Sequence, residues 1–120
     1  MTVPRAVRAL VYARAAYRCE KCRRALTGTF GVSLHHRRSK GMGGSRRPDV
    51  DSPPNLVALC GSGTTGCHAE VHSQRLDVGE PGGFIVPQHT DPATVPVLIG
   101  GKWLLLTDDG TYGLPEGPST

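Results

Sequence analysis

The chain has 120 residues, a length typical of one domain, and its aromatic content of 5% with 16 glycines and 10 prolines indicates a loop-rich protein with a modest core. Its net charge of +4 is uneven, because residues 1–75 hold 13 Lys and Arg against 4 Asp and Glu, whereas residues 76–120 hold 1 against 6. The basic first part favours a polyanionic partner such as nucleic acid, and the lack of an apolar run of about 18 residues argues against a membrane span, so that the cytoplasm is the expected location.

The first predicted element is a helix over residues 5–17, RAVRALVYARAAY, in which apolar side chains recur at helical spacing. Arg5, Arg8 and Arg14 could contact phosphate or form a solvated face, and the solvated face is the preferred interpretation. Cys19 and Cys22 follow in CEKC, a spacing typical of one half of a zinc site.

A strand is predicted next, over residues 30–34, and it leads into His35 and His36. Residues 37–54 form a long loop with three glycines, three prolines and five basic side chains, a composition that indicates a functional or mobile segment. The apolar run NLVALC at residues 55–60 predicts a strand, residues 61–66 a turn, and CHAEVHSQRL at residues 67–76 a helix.

The C-terminal part differs from the preceding residues in composition. Residues 84–87 and 95–107 are rich in β-forming side chains, and IGGKW predicts a hairpin with a two-residue Gly-Gly turn. Residues 108–113 predict a further turn. The expected organisation is therefore a core over residues 1–78, a β-rich extension over 79–114 packed on or beside it, and a disordered tail over 115–120.

The four cysteines form two pairs with none left over, Cys19 with Cys22 and Cys60 with Cys67. In a reducing compartment such a set favours metal binding over disulfides. Four thiolates make a closed tetrahedral site, so the cysteines predict a structural zinc.

The histidines predict a second, separate metal. His68 and His72 lie four residues apart in the predicted helix and share one of its faces, whereas Cys67 points elsewhere. A third ligand could come from His35 or His36, which strand alternation sends to opposite faces, so that the other would be able to act as a base near neutral pH. An imidazole site with open coordination positions is of the catalytic type.

The order of these motifs, Cys-x2-Cys, His-His, Asn-Leu-x3-Cys and Cys-His-x3-His, resembles that of the HNH endonucleases, which have a ββα-metal core. The segments SLHHRRSKGMGG, NLVALCGSGTTGCHAEVH and GGFIVPQHTDPATVPVL look more narrowly like the small HNH proteins of actinobacterial phages. The motif portion covers roughly residues 8–76. The resemblance implies an α+β protein with a small ββα-metal core, an N-terminal helix, a zinc knuckle and a C-terminal β-hairpin segment.

The resemblance also implies roles for individual residues. His35 matches a metal ligand, His36 the general base that activates water, and Asn55 a residue that positions the ββα loop. His68 and His72 match further ligands of the catalytic metal. The structural zinc would be held by Cys19, Cys22, Cys60 and Cys67.

Two features depart from the family pattern. Many members have Asp-His where this chain has His35-His36, which leaves the catalytic metal open among Mg, Mn, Ni and Zn. Many members also have two residues inside the second cysteine pair, whereas six separate Cys60 from Cys67. The knuckle is therefore expected to carry a longer loop.

The implied function is metal-dependent hydrolysis of DNA phosphodiester bonds, by nicking or double-strand cleavage, with double-stranded DNA as the substrate. The resemblance further suggests work beside a phage terminase or portal protein in the bacterial cytoplasm. The basic loop is expected to contact DNA phosphates through Arg37, Arg38, Lys40, Arg46 and Arg47. The alternative is a non-catalytic zinc-knuckle protein that binds nucleic acid or mediates interactions in a packaging complex.

Overall fold

The computed structural model describes residues 3–26, 32–38, 50–62, 65–74, 82–87 and 89–115, with the backbone alone over residues 72–74. These residues form two helices and two antiparallel sheets, which confirms the predicted α+β class at this level. The helices are α1 (Arg5–Arg14) and α2 (Gly66–Gln74), and the strands are β1 (Val32–His36), β2 (Leu56–Cys60), β3 (Val97–Ile99), β4 (Lys102–Leu106) and β5 (Tyr112–Gly113).

Strand β2 lies at the centre of the protein. It pairs antiparallel with β1, from Val32 opposite Cys60 to His36 opposite Leu56. Every residue of β2 is buried, because α1 packs against it from one side and α2 from the other. A strand covered on both faces has no polar alternation, which explains the uninterrupted apolar sequence of β2.

Helix α1 ends at Arg14, three residues before the predicted end, because Ala16 and Tyr17 have positive φ angles of 56° and 57°. The expectation of a solvated Arg14 is wrong. This side chain lies on the helix face that packs on β2, where its guanidinium donates to both carboxylate oxygens of Glu20, at 2.9 and 2.7 Å. It also donates to the carbonyls of Pro53 and Leu56.

The second sheet has the order β3-β4-β5. The predicted Gly-Gly hairpin is confirmed, since Ile99 pairs with Lys102 and the connecting Gly100 and Gly101 have φ angles of 55° and 93°. Two successive positive φ angles are those of a type I′ turn, which matches the twist of the strands it joins. Residues 84–87, predicted to favour β-structure, are not part of a strand.

The two sheets share one apolar core. Val57 and Leu59 of β2 contact a cluster that includes Phe84, Val97 and Leu106 from the C-terminal part. Tyr112 adds a polar link, because its hydroxyl donates to Glu20 at 2.6 Å. The division at residue 78 stays a prediction, and the tail from residue 116 lies outside the described residues.

Candidate functional site

The four cysteines come together from three parts of the chain. Cys19 and Cys22 lie in the turn after α1, Cys60 ends β2 and Cys67 lies in the first turn of α2. Their sulfur atoms all lie within 4.8 Å of one another. The four side chains are therefore placed so that they could hold one metal ion, as the predicted structural zinc requires.

Two glycines bring the second cysteine pair together. Gly61 and Gly66 have φ angles of 87° and 66°, and the backbones of Ser62 and Thr65 bond to each other between them. A Cβ on Gly61 would lie 2.1 Å from the carbonyl oxygen of Thr65, and one on Gly66 would lie 2.6 Å from the carbonyl oxygen of Cys60. The two ends of this six-residue segment are thus in contact, and the long spacing still brings both sulfur atoms into the cluster.

A cation bound among the four sulfur atoms would stabilise the deprotonated thiols. Burial raises the pKa of Cys67 far above its ordinary value, and the neighbouring Cys19 together with hydrogen bonds among the sulfurs raises it further. Four thiolates repel one another in a partly buried cluster unless a positive charge compensates them. A bound divalent metal supplies that charge, so metal binding and thiol deprotonation are coupled.

His35 is buried beside a second histidine. Its Nε2 atom lies 2.7 Å from the carbonyl oxygen of Phe84, and because a carbonyl only accepts, Nε2 carries the proton and Nδ1 is the unprotonated nitrogen. The ring of His68 lies edge-on to that of His35, with centroids 5.4 Å apart, and Nδ1 of His68 is buried. The backbone of His72 lies one turn further along α2, and its side chain is outside the described residues.

His36 is paired with an acidic residue that the sequence analysis did not single out. Its Nε2 atom lies 2.7 Å from Oδ1 of Asp51, and the two side chains remain 21% and 14% exposed. An ionised carboxylate only accepts, so Nε2–H donates to Asp51 and Nδ1 is the basic nitrogen. Asp49 and Asp51 are both aspartates and lie two residues apart, so the sequence does not show which of them contacts His36.

Asn55 holds the two ends of the segment between β1 and β2. Its Nδ2 donates to the carbonyls of Arg38 and Val50, at 3.1 and 2.8 Å, and its Oδ1 accepts from the backbone N–H of Arg38 at 2.7 Å. The side chain is fully buried. Both amide hydrogens are used in these bonds, so Asn55 acts on the loop and has no donor left for a substrate.

Arg37 and Arg38 do not form a basic surface, which corrects the prediction that they contact DNA phosphates. Arg37 is 0% exposed and Arg38 4% exposed. The guanidinium of Arg37 donates to the carbonyls of Gly83, Pro54, Pro92 and Val95, and that of Arg38 donates to the carbonyl of Thr90.

These bonds give the two arginines a structural role, because they pair with carbonyls of short 3-10 helices and connecting segments in the interior. Sequence reasoning missed this role because the composition of a basic, Gly-rich loop does not show which of its arginine side chains are buried. The other predicted phosphate contacts, Lys40, Arg46 and Arg47, lie outside the described residues.

Comparison with known proteins adds no relative. No protein-family description, curated protein or solved structure matches this chain. Neither helix in the described part of the chain has the length and apolar character that crossing a membrane requires.

Proposed function

We propose that the protein is a metal-dependent endonuclease of the HNH type that hydrolyses phosphodiester bonds in DNA. The observation that carries the proposal is the bond between His36 Nε2 and Asp51 Oδ1 on a partly exposed pair, one residue after His35, whose buried ring lies edge-on to that of His68. A histidine base oriented by a carboxylate, on a strand that also carries a candidate imidazole ligand, is an arrangement suited to hydrolysis.

The order of elements supports the same proposal. β1 carries His35 and His36, β2 pairs with it, and α2 follows β2, packs on it and carries His68 in its first turn. A ββα-metal core requires this order of strand, strand and helix, with its ligands at these ends.

The proposed hydrolysis depends on which ring nitrogen of His36 carries the proton. Neutral His36 takes a proton from water at Nδ1, while Asp51 fixes the ring through Nε2–H. The water oxygen attacks phosphorus and the 3′ oxygen leaves, so one P–O bond forms and one breaks. The proton on His36 and a proton for the leaving oxygen are exchanged with solvent.

The catalytic metal would be held by His35 through Nδ1, together with His68 and His72. A donor set of imidazoles suits Zn or Ni, whereas the Mg that many nucleases use prefers oxygen ligands. A divalent metal bound there supplies a Lewis acid that stabilises negative charge on the phosphate and on the leaving oxygen. The zinc of the four cysteines would have no open position and would serve the fold.

The biological setting is proposed on the resemblance alone. The resemblance to small phage HNH proteins suggests that this protein works beside a terminase or portal protein in the host cytoplasm. A protein that binds nucleic acid in such a complex without cutting it is the alternative, and it would not depend on the basicity of His36.

The proposal is tested by plasmid relaxation with chelator-treated protein that retains its zinc, supplied in turn with Mg, Mn, Ni or Zn. We expect nicked product with at least one metal, and a loss of about 100-fold or more in His36→Ala, the magnitude typical of a lost general base. His89→Ala removes an exposed histidine and is the matched control, for which the wild-type rate is expected.

A third variant separates the two metal sites. His68→Ala should lose cleavage and still carry the zinc of the four cysteines, measured by metal analysis after gel filtration. Wild-type protein that is inert with every metal, or His36→Ala that cuts at the wild-type rate, would refute the catalytic assignment. Loss of the tightly bound zinc from His68→Ala would refute the division into two sites.

A further inference from the structure

The end of α1 has an unusual backbone. The N–H of Ala16 donates to the carbonyl of Ala13 and the N–H of Tyr17 donates to the carbonyl of Tyr12, both at 3.0 Å, which is the bonding pattern of a Schellman cap. Glycine is the usual residue at the left-handed position of this cap. Here Ala16 and Tyr17 both adopt left-handed angles, and each such residue costs about 1 kcal/mol relative to glycine.

The strained backbone presents an aromatic ring to solvent. The ring of Tyr17 is stacked on that of Tyr12, with centroids 6.3 Å apart and planes 11° from parallel, and Tyr17 is 64% exposed. A hydrophobic contact between these two positions accompanies a Schellman cap, and it accounts for the inner face of Tyr17. It does not account for a large aromatic side chain whose remaining surface is open to water.

Arginines extend the same helix face. Arg5, Arg8 and Tyr12 lie at positions i, i+3 and i+7 and span about 10 Å along the helix. Arg5 and Arg8 are exposed, and the positive charge of Arg8 acts on the Tyr12 hydroxyl, partly offsetting the rise in its pKa caused by burial. In contrast, Arg14 is buried against Glu20. Helix α1 has no acidic residue, so this face combines two cations with a stacked aromatic pair.

We propose that this face, formed by Arg5, Arg8, Tyr12 and Tyr17, binds single-stranded nucleic acid. The base of an unpaired nucleotide stacks on the outer face of Tyr17, and Arg8 and Arg5 contact the phosphates that follow it. Stacked aromatic rings beside cations bind single strands with little regard to sequence, because every base has a π-face.

The chemistry of the surface selects this ligand. An acidic peptide would use the arginines but not the ring, and a bilayer surface would need an apolar stripe where this helix face carries Arg5 and Arg8. A base paired within a duplex is already stacked on both sides, so the ring favours unpaired ends, gaps and displaced strands. The choice of nucleic acid as ligand rests on the proposed function, since such strands are the substrates or products of DNA cleavage.

The test measures binding of a fluorescein-labelled oligothymidylate and of a matched duplex by fluorescence anisotropy. All proteins are full-length, zinc-loaded and in a His36→Ala background, so the result does not depend on whether the chain cuts. We expect Tyr17→Leu to weaken single-strand binding about 5- to 100-fold, the magnitude of one lost base stack, and to change duplex binding less than about twofold. Tyr17→Phe, which keeps the ring, should bind as the parent does.

The phosphate contacts of the two arginines are tested through the salt dependence of binding. Each of Arg5→Gln and Arg8→Gln should weaken binding and lower the slope of log K against log salt by about 0.7, as expected for one lost phosphate contact on a single strand. Lys102→Gln removes the same charge from an exposed position of β4, and Trp103→Leu removes an exposed aromatic ring from that strand. Both controls should bind as the parent does.

The proposal is overturned if Tyr17→Leu binds the single strand as tightly as Tyr17→Phe does, or if Trp103→Leu or Lys102→Gln loses as much affinity as the α1 variants. Circular dichroism and zinc content of Tyr17→Leu check that the cap still forms, which the leucine side chain can support through its apolar contact with Tyr12. Failure of cleavage with normal single-strand binding would count against the nuclease assignment alone.

Discussion

At the scale of single residues, the pairing of His36 with Asp51 determines what the histidine can do. The two residues are 15 positions apart, and the bond from Nε2–H to the carboxylate fixes both the ring orientation and the tautomer. The sequence predicts His36 from the His-His motif. It does not predict Asp51, because the meeting depends on the path of the intervening segment and on Asn55, which holds the ends of that segment.

Replacing Asp51 tests this dependence. In Asp51→Ala the ring of His36 loses its anchor, and we expect plasmid cleavage to fall by up to about 100-fold through kcat, with little change in KM, because misorientation of a reacting group affects the transition state most. Asp51 is partly exposed, so folding should be retained. Asp108→Ala, at an exposed position of the turn before β5, is the matched control.

Nitrogen NMR of labelled His36 gives a reading that does not depend on cleavage. Wild-type protein should show the Nε2–H form, and Asp51→Ala should show a mixture of tautomers. An unchanged tautomer together with an unchanged cleavage rate would remove Asp51 from the site.

At the scale of elements, the connection between β2 and α2 brings Cys60 and Cys67, despite their unusual spacing, into a cluster that could hold a metal ion. Cys60 ends a strand, Cys67 lies in the first turn of a helix, and Gly61 and Gly66 are in contact between them. The sequence predicts the strand, the turn and the helix in this order. It does not reveal that the two glycines touch, because an isolated Gly in a turn indicates only backbone freedom.

A pair of glycine substitutions separates the closed contact from backbone strain. Gly61→Ala adds a Cβ that would lie 2.1 Å from a backbone oxygen at a φ of 87°, whereas Gly101→Ala adds one at a φ of 93° with no atom within 4 Å. We expect Gly101→Ala to cost about 1 kcal/mol from the left-handed angle alone. Gly61→Ala should cost clearly more and should also weaken zinc binding.

The measurements are urea unfolding of the zinc-loaded proteins and competition for zinc with a colorimetric chelator. Equal losses of stability in the two variants, with zinc affinity unchanged in both, would show that the contact between Gly61 and Gly66 does not position the cysteines.

At the scale of the whole molecule, a buried polar network joins the N-terminal and C-terminal parts. Glu20 accepts from Arg14 of α1, from the backbone N–H of Ala58 in β2 and from the Tyr112 hydroxyl in β5. Burial raises the pKa of Tyr112, and the negative charge of Glu20 raises it further. The folded protein therefore keeps this phenol protonated at pH values where the unfolded chain would ionise it.

This network predicts a pH dependence of stability. A raised folded-state pKa contributes stability that is fully present below the unfolded value of about 10 and is lost as the pH rises above it. Tyr112→Phe should lower the free energy of unfolding by about 1.5–3 kcal/mol near pH 8, as for a hydrogen bond to a charged group, and the difference from wild type should narrow above about pH 10.

Urea unfolding across this pH range is the measurement, and Tyr17→Phe is the control for loss of an exposed tyrosine hydroxyl. A difference between Tyr112→Phe and wild type that stays constant through the alkaline range would contradict a raised pKa for Tyr112.

The sequence by itself determined the features that depend on local spacing and pattern. The α+β class, the Gly-Gly hairpin and the grouping of the four cysteines into one cluster follow from periodicity, turn chemistry and ligand count, which are local properties of the sequence. The same reasoning put Arg14, Arg37 and Arg38 on the surface, because charge alone predicts exposure.

Only the tertiary structure decided which charged groups are internal. Arg37 is buried because four carbonyls from three separate segments accept from it. Arg14 is buried because the Glu20 carboxylate and two carbonyls accept from it. Asp51 meets His36 for a similar reason, since Asn55 bonds to Arg38 and Val50, which lie close to these two residues in the sequence. These outcomes depend on partners far apart in the sequence, and a guanidinium or carboxylate is stable inside a protein only where such partners meet.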